Sequence, residues 1–304
     1  MICSRAVHIA HASHQCREAR LQLSMTDTVR NDLSAFGHYR PQGAVARILE
    51  LTRGASASWA GKRRAFFLRS MAIKALKGCP LDVETLGARM RLYPFNNVCE
   101  KRILFTPQYF DLAERELLQS RIKPDMVFID IGANVGGYSL FVAASAGANA
   151  RILAIEPQPE IFERLVYNIR QNPFASIKAI DCAVADVDAE ITLFVDADNR
   201  GETSMRLINT DSVGAQIRVP AKALHNIVAE EGFERIDAMK LDVEGAEDLI
   251  LEPFFQEAPV ALWPQLLLIE FAPERWAIDI PALLAERGYR RVLKTRHKAV
   301  YERK

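Results

Sequence analysis

Apolar positions change period repeatedly along the second half of the chain. MVFIDI is a short apolar run, GYSLFVAASAG repeats at helical spacing, RILAIE is again a run, EIFERLVYNIRQN is helical, and SIKAID returns to a strand. ITLFV and IRVP predict a local pair of strands. Helix ALHNIVAEEG, strand DAMKLDV, helix AEDLILEPFF, strand LLLIEF and helix PALLAERG follow. A closing pair, YRRVLK and KAVYER, turns at Thr295 to His297. Strands alternating with helices of this length predict an α/β fold, with a doubly wound, mainly parallel sheet and an antiparallel C-terminal edge.

Upstream the pattern differs. Ala65, Leu68, Met71, Ala72 and Ala75 have helical spacing, which predicts a small helical appendage over residues 25–80. Its basic run, Lys62-Arg63-Arg64, reads as a solvated helix face. MRLYPF and KRILF, separated by Asn96 and Asn97, predict a hairpin, and FDLAERELLQS predicts a helix stopped at Lys123-Pro124. Hairpin and helix (81–122) are assigned to the same domain as the core (123–304). The first 24 residues contain one acid, Glu18, and no long apolar stretch, so they read as a weakly ordered tail with Met25 a candidate start.

Composition changes this picture little. With 304 residues, 49% of them apolar, the chain can bury a large core. A formal net charge of +1 implies no general attraction to nucleic acid or anionic membrane, and no aromatic and basic stripe is evident in the sequence. No apolar run reaches the roughly 18 residues of a membrane span. The five cysteines are dispersed and odd in number, which argues against a zinc ribbon or a disulfide framework and fits a cytoplasmic location.

The candidate chemistry sits at predicted strand ends, where doubly wound sheets bind ligands. VFIDIGANVGGYSLF runs from a strand through a small-residue turn into a helix. Asn134 stands where a dinucleotide fingerprint has its middle glycine, and Asp130 sets a carboxylate beside the place a pyrophosphate would occupy. That carboxylate suits a ligand with an amino group and a sulfonium, as in S-adenosylmethionine. Glu156, followed by Pro157, ends the next strand at the spacing of a ribose-binding acid. Cys182 and Ala183, after the third, leave room for an adenine ring. Taken singly, Asp130 reads equally as a helix cap, Glu156 as a surface acid and the glycines as a tight turn; three such features at successive strand ends favour a ligand.

MKLDVEGAEDL supplies the second cluster. Glu247 and Asp248 suit a helix N-terminus. Alternation with Met239, Leu241 and Val243 turns Asp242 toward the cleft. Candidates for a base are Glu244, Glu270, Asp242 and His225; Glu270 follows four apolar residues, whose surroundings would raise its pKa. Three carboxylates can also hold Mg²⁺, but no motif specifies that geometry.

VFIDIGANVGGYSL, AIEPQPEIFERLVYNI, MKLDVEGAEDLIL and LLLIEF together resemble the FkbM-type branch of class I S-adenosylmethionine-dependent methyltransferases, over roughly Arg89 to Glu270. The resemblance implies a Rossmann-like, seven-stranded methyltransferase sheet, with Asp130, Gly132, Ala133, Asn134, Gly136, Glu156 and Asp242 near the cofactor. It implies O-methylation of a sugar, glycan, lipid or polyketide hydroxyl. Where the family often carries Thr-Leu-Asp, this chain has Ala223-Leu224-His225. Tyr93, Asn96, Arg102 and Asp111 precede the core in a segment that, in such architectures, meets acceptors. The rival readings are a nicotinamide-dependent oxidoreductase, which lacks a Tyr-x-x-x-Lys pair here, and a non-catalytic nucleotide-binding regulator.

Overall fold

The computed structural model describes residues 32–174, 176–195, 203–204 and 215–304. The expected tail and the Met25 start lie outside them. The chain divides after Phe110 into two compact units.

In the first unit, helices α1 (Gly43–Arg53) and α2 (Trp59–Leu76) precede a hairpin of β1 (Leu81–Thr85) and β2 (Ala88–Leu92), then α3 (Val98–Phe105). The expected hairpin is therefore displaced. Its turn is Leu86-Gly87, both left-handed at φ 53° and 82°, the pair of positive angles a two-residue hairpin needs. KRILF is helical because Asn97 is a cap and not a turn residue: its side chain accepts the Glu100 N–H at 3.1 Å. The hairpin also groups with this unit and not with the sheet domain. Arg91, buried against Asp82 through two bonds of 2.7 and 2.9 Å, donates to Asp32 O and Ala35 O and fastens the preceding segment onto the hairpin.

The second unit begins with α4 (Leu112–Gln119). Then come β3 (Val127–Ile131), α5 (Gly137–Ala146), β4 (Arg151–Ile155), α6 (Pro159–Arg170) and β5 (Ile177–Ile180). After the excursion β6 (Ala183–Ala185), β7 (Ala189–Val195), β8 (Thr203–Ser204) and β9 (Ala215–Ala223), the chain continues through α7 (Leu224–Glu230), β10 (Ala238–Leu241), α8 (Glu247–Glu257), β11 (Leu266–Glu270), α9 (Ile280–Glu286), β12 (Tyr289–Lys294) and β13 (Lys298–Arg303). Seven strands form the main sheet in the order β12-β13-β11-β10-β3-β4-β5. It is the expected Rossmann-like α/β sheet, mainly parallel and interleaved with helices.

The closing pair supplies one antiparallel strand, β13, which lies between β11 and the outermost β12. The expected pair ITLFV and IRVP is β7 with β9, Ile191 opposite Val219, within a separate sheet ordered β6-β9-β7-β8. Ile129, Leu153, Met239 and Leu267 from neighbouring central strands are at most 1% exposed, so these strands read as continuous apolar runs, as expected for a sheet covered on both faces. Strand order reverses between β3 and β10, which places a crevice at their carboxyl ends.

Among the described cysteines, Cys99 and Cys182 are thiols, whereas Cys79 is disulfide-bonded, so the expectation drawn from cysteine usage against disulfides does not hold at that position.

Candidate active site

The turn after β3 is built by backbone constraint. Gly132 and Ala133 N–H groups both donate to Ile155 O, at 3.0 and 2.9 Å, locking the turn to the end of β4. Gly132 has φ +71°, and a Cβ there would lie 2.1 Å from Asp242 O, so only glycine fits. Asn134 is left-handed at φ 51°; its Oδ1 accepts the Val135 N–H at 2.9 Å, which suits asparagine to that conformation. Gly136 is left-handed and crowded by Leu165. Gly132 and Asn134 are partly exposed at the crevice, while Ala133 and Gly136 are buried.

Asp130, expected near the cofactor, is 0% exposed, and its carboxylate meets α5 and Lys240. Its side chain is fully buried: Oδ2 accepts the Ser139 N–H at 3.1 Å and Oγ–H at 2.7 Å, and Oδ1 lies 3.2 Å from Lys240 Nζ. It caps the first turn of α5 and holds Lys240, which sits opposite it in the β3–β10 register and donates to Gly132 O at 3.0 Å. The plainer of the two readings, a helix cap, describes its contacts.

Glu156 is not a surface acid. It is 6% exposed, accepting N–H bonds from Asn134 at 2.9 Å and Gln158 at 3.0 Å. Burial pushes its carboxyl up to about 7 against the opposing pull of those two bonds and Lys240. Each of its oxygens retains acceptor capacity. Pro157 is half-buried beside it, and Gln158 caps α6 by accepting the Ile161 N–H at 2.7 Å. Cys182 and Ala183, beyond β5, are both buried, and burial raises the Cys182 thiol to about 11.

At the mouth of β10, Asp242 is paired with two cations: Lys298 Nζ at 2.7 Å and Lys240 Nζ at 3.3 Å. Burial opposes ionisation, yet the two ammonium groups hold this carboxyl well below the usual range. Asp111, left-handed at φ 42°, joins from the start of α4: it accepts Tyr138 O–H at 3.2 Å and lies 3.8 Å from Lys298 Nζ. Tyr93 and Arg102 are engaged in the first unit, the Tyr93 hydroxyl oxygen accepting the Asp32 N–H and Arg102 stacking over Phe110; Asn96 belongs to that unit also.

The remaining acids separate by environment. Glu247 accepts Trp276 Nε1–H at 2.8 Å, and Asp248 accepts the Ala277 N–H at 2.7 Å, so both tie the segment after β11 to α8. Glu244 is left-handed at φ 55° and lies 3.7 Å from Arg275. Glu270 ends β11 opposite Lys298 in the β11–β13 register. Its Oε2 is buried without a hydrogen-bond partner, and burial, reinforced by Asp242 and Glu247, pushes its carboxyl up to about 7. His225, in the first turn of α7, has Asp188 as its charged neighbour; Asp188 accepts the Ala223 N–H and Asn226 Nδ2–H. His225 takes no part in the Asp242–Lys298 pairing. Among the described residues no group of three or more His, Cys, Asp or Glu side chains is set to hold a metal ion.

A family model described as "Methyltransferase FkbM domain" matches residues 130–291. The chain belongs to this FkbM methyltransferase family. The match runs from Asp130 past the Glu270 strand, so the glycine turn, Glu156, Lys240 and Asp242 all lie within it. Among curated relatives, methyltransferase sdnD of Sordaria araneosa is 26% identical over 214 residues, 61% of this chain and 79% of its own length. The 31-O-demethyl-FK506 methyltransferase FkbM of Streptomyces tacrolimicus is 27% identical over 157 residues, 43% of this chain and 60% of its own. The AMB antimetabolite synthetase AmbE of Pseudomonas aeruginosa is 30% identical over 164 residues, 43% of this chain; the match spans only 8% of AmbE. A solved S-adenosylmethionine-dependent methyltransferase from Aquifex aeolicus aligns with a TM-score of 0.37 at 15% identity, over 64% of this chain and 92% of that one.

Lys298 was missed from the sequence. It is the first residue of an edge-like KAVYER strand, and only the pairing of β13 with β11 carries it to Asp242. Tyr138 and Ser139 look like ordinary helix residues. Asp130, Glu156 and Asp242 stand at or just beyond the ends of apolar strands, which is the signal that singles them out in the sequence.

Proposed function

We propose that this FkbM-family protein is an S-adenosylmethionine-dependent O-methyltransferase that modifies a hydroxyl of a sugar, glycan, lipid or polyketide-like acceptor. The observation that carries the reading is Glu270, a carboxyl with a buried, unpartnered oxygen beside Asp242 and Lys298 at the mouth of the sheet. A base titrating near 7 suits removal of a hydroxyl proton at neutral pH.

The residues present fit the cofactor. The partly exposed backbone at Gly132 and Asn134, the spare acceptor capacity of Glu156 and the buried small residues Cys182 and Ala183 would hold its methionyl, ribose and adenine parts. When bound, S-adenosylmethionine supplies an electrophilic methyl group. Asp130 acts indirectly, fixing α5 and Lys240. Glu270, when ionised, would accept the acceptor's hydroxyl proton. Asp242, held ionised by two lysines, is too weak a base for that task and serves to fix Lys298 in place. Glu244 lies 3.7 Å from Arg275, and His225, although its Nδ1 is buried without a hydrogen-bond partner, takes no part in the Asp242–Lys298 pairing, so both rank below Glu270. Hydroxyl methylation is supported by similarity to the 31-O-demethyl-FK506 methyltransferase.

Calorimetric titration with S-adenosylmethionine and with NADH tests the cofactor. Binding of the former alone, weakened at least about tenfold by Glu156→Gln, supports the reading. Preference for NADH would overturn it. Glu270→Gln should leave cofactor binding intact while lowering transfer of labelled methyl to hydroxylated acceptors by about a hundredfold or more.

A further inference from the structure

Helix α2 presents a face that neither the core nor the candidate active site explains. Trp59 is 74% exposed, Phe67 65%, Met71 49% and Phe66 45%, and their spacing of seven, eight and twelve residues from Trp59 sets them along one side of the helix. Burial is confined to the opposite side, at Ala65 and Ala72. Between and beside the apolar side chains stand Lys62, Arg63, Arg64, Arg69 and Lys74, while no acid occurs from Thr52 to Leu81. The Arg63 guanidinium lies 5.2 Å from the Trp59 ring centroid and Arg69 lies 4.7 Å from that of Phe66. A merely solvated helix would carry polar groups at the positions of Trp59, Phe66, Phe67 and Met71.

We propose that α2 docks this protein flat onto the surface of an anionic phospholipid bilayer. Large apolar side chains flanked by cations match the two requirements of an interfacial helix, apolar burial at the headgroup boundary and attraction to anionic lipid. Among the described residues no helix is long and apolar enough to cross a membrane, so the contact is peripheral. The aromatic and basic stripe not evident in the sequence is formed here, on α2. The whole-chain charge of +1 conceals this local excess. It also argues against RNA as the occupant, because a polyanion is gathered by an extended positive field, whereas a bilayer needs only a local patch with an apolar wedge. Met71, which offers no ring for a base to stack on, fits lipid better than nucleotide.

Flotation of the full chain with phosphatidylcholine vesicles, and with vesicles containing roughly one third phosphatidylglycerol, tests the proposal directly. Partition into the anionic vesicles is expected to exceed that into neutral ones by about tenfold or more. Two variants, Trp59→Ser with Phe67→Ser and Arg63→Glu with Arg64→Glu, should each remove most of that partition with melting temperatures unchanged, since the side chains are exposed. Equal partition into both vesicle types, or none into either, overturns the proposal without any variant. So does tighter binding to a single-stranded RNA oligonucleotide, or a dimer in solution that the Phe67 substitution dissociates, because either assigns the face to another occupant.

Discussion

At the scale of single residues, the second unit holds two carboxyls pushed to about 7 for the same dominant reason, burial, but with different surroundings. Glu156 accepts bonds from two backbone N–H groups, whereas Glu270 has an unpartnered oxygen, and the proposed function assigns them to cofactor binding and to proton removal respectively. The expected kcat/KM profile rises with pH around 7 as Glu270 loses its proton, and Glu270→Gln should remove that limb while the pH dependence of S-adenosylmethionine affinity, which belongs to Glu156, remains. Stability follows the opposite sign. A folded-state pKa raised from 4.5 to about 7 favours the protonated native state, so this contribution is complete below 4.5 and lost as pH climbs through 7. Between pH 4.5 and 8, Glu156→Gln should therefore gain about 3 kcal/mol relative to wild type, read from denaturant titrations at the two pH values. Lys298→Met should destabilise, because it strips the nearer cation from the half-buried Asp242 carboxylate, and denaturant unfolding of the variant reads the loss.

At the scale of elements, the decisive features are caps and close approaches. Asp130 capping α5, Gln158 capping α6 and Asn97 capping α3 all join an element to the segment before it. Asn97→Ala should cost about 1 kcal/mol in thermal or denaturant unfolding, the usual worth of such a cap. Gly132→Ala should be far more damaging, with loss of cofactor binding and a cost above roughly 3 kcal/mol, since its Cβ would collide with a backbone oxygen of β10's continuation. KRILF shows why an element was misread. A short apolar run is compatible with strand or helix, and the preceding Asn-Asn resembles a turn; the Asn97 bond to the Glu100 N–H, a local event invisible to periodicity, decides for helix. The strand-to-helix alternation beyond residue 125 carried no such ambiguity, because each run was flanked by turn residues and long enough to show its period.

At the scale of the whole molecule, the named site residues from Asp111 to Lys298 belong to the second compact unit, and the exposed face of α2 belongs to the first. A fragment beginning at residue 107 is expected to unfold cooperatively and to bind S-adenosylmethionine with an affinity near that of the full chain, while losing attachment to anionic vesicles; calorimetry and flotation on the fragment check both. The sequence by itself determined the α/β class, the parallel core and the glycine turn, because those depend on local periodicity and on conformations open chiefly to glycine and asparagine. It also located the acids at strand ends. Only the tertiary structure decided how each acid is buried and partnered. Asp130 is sealed beneath Ser139 and Lys240, Glu247 and Asp248 bind the segment after β11, and Glu270 keeps an open oxygen. Those roles depend on burial and on partners more than a hundred residues away for Asp130, or across a strand register for Lys298, and one-dimensional pattern holds neither.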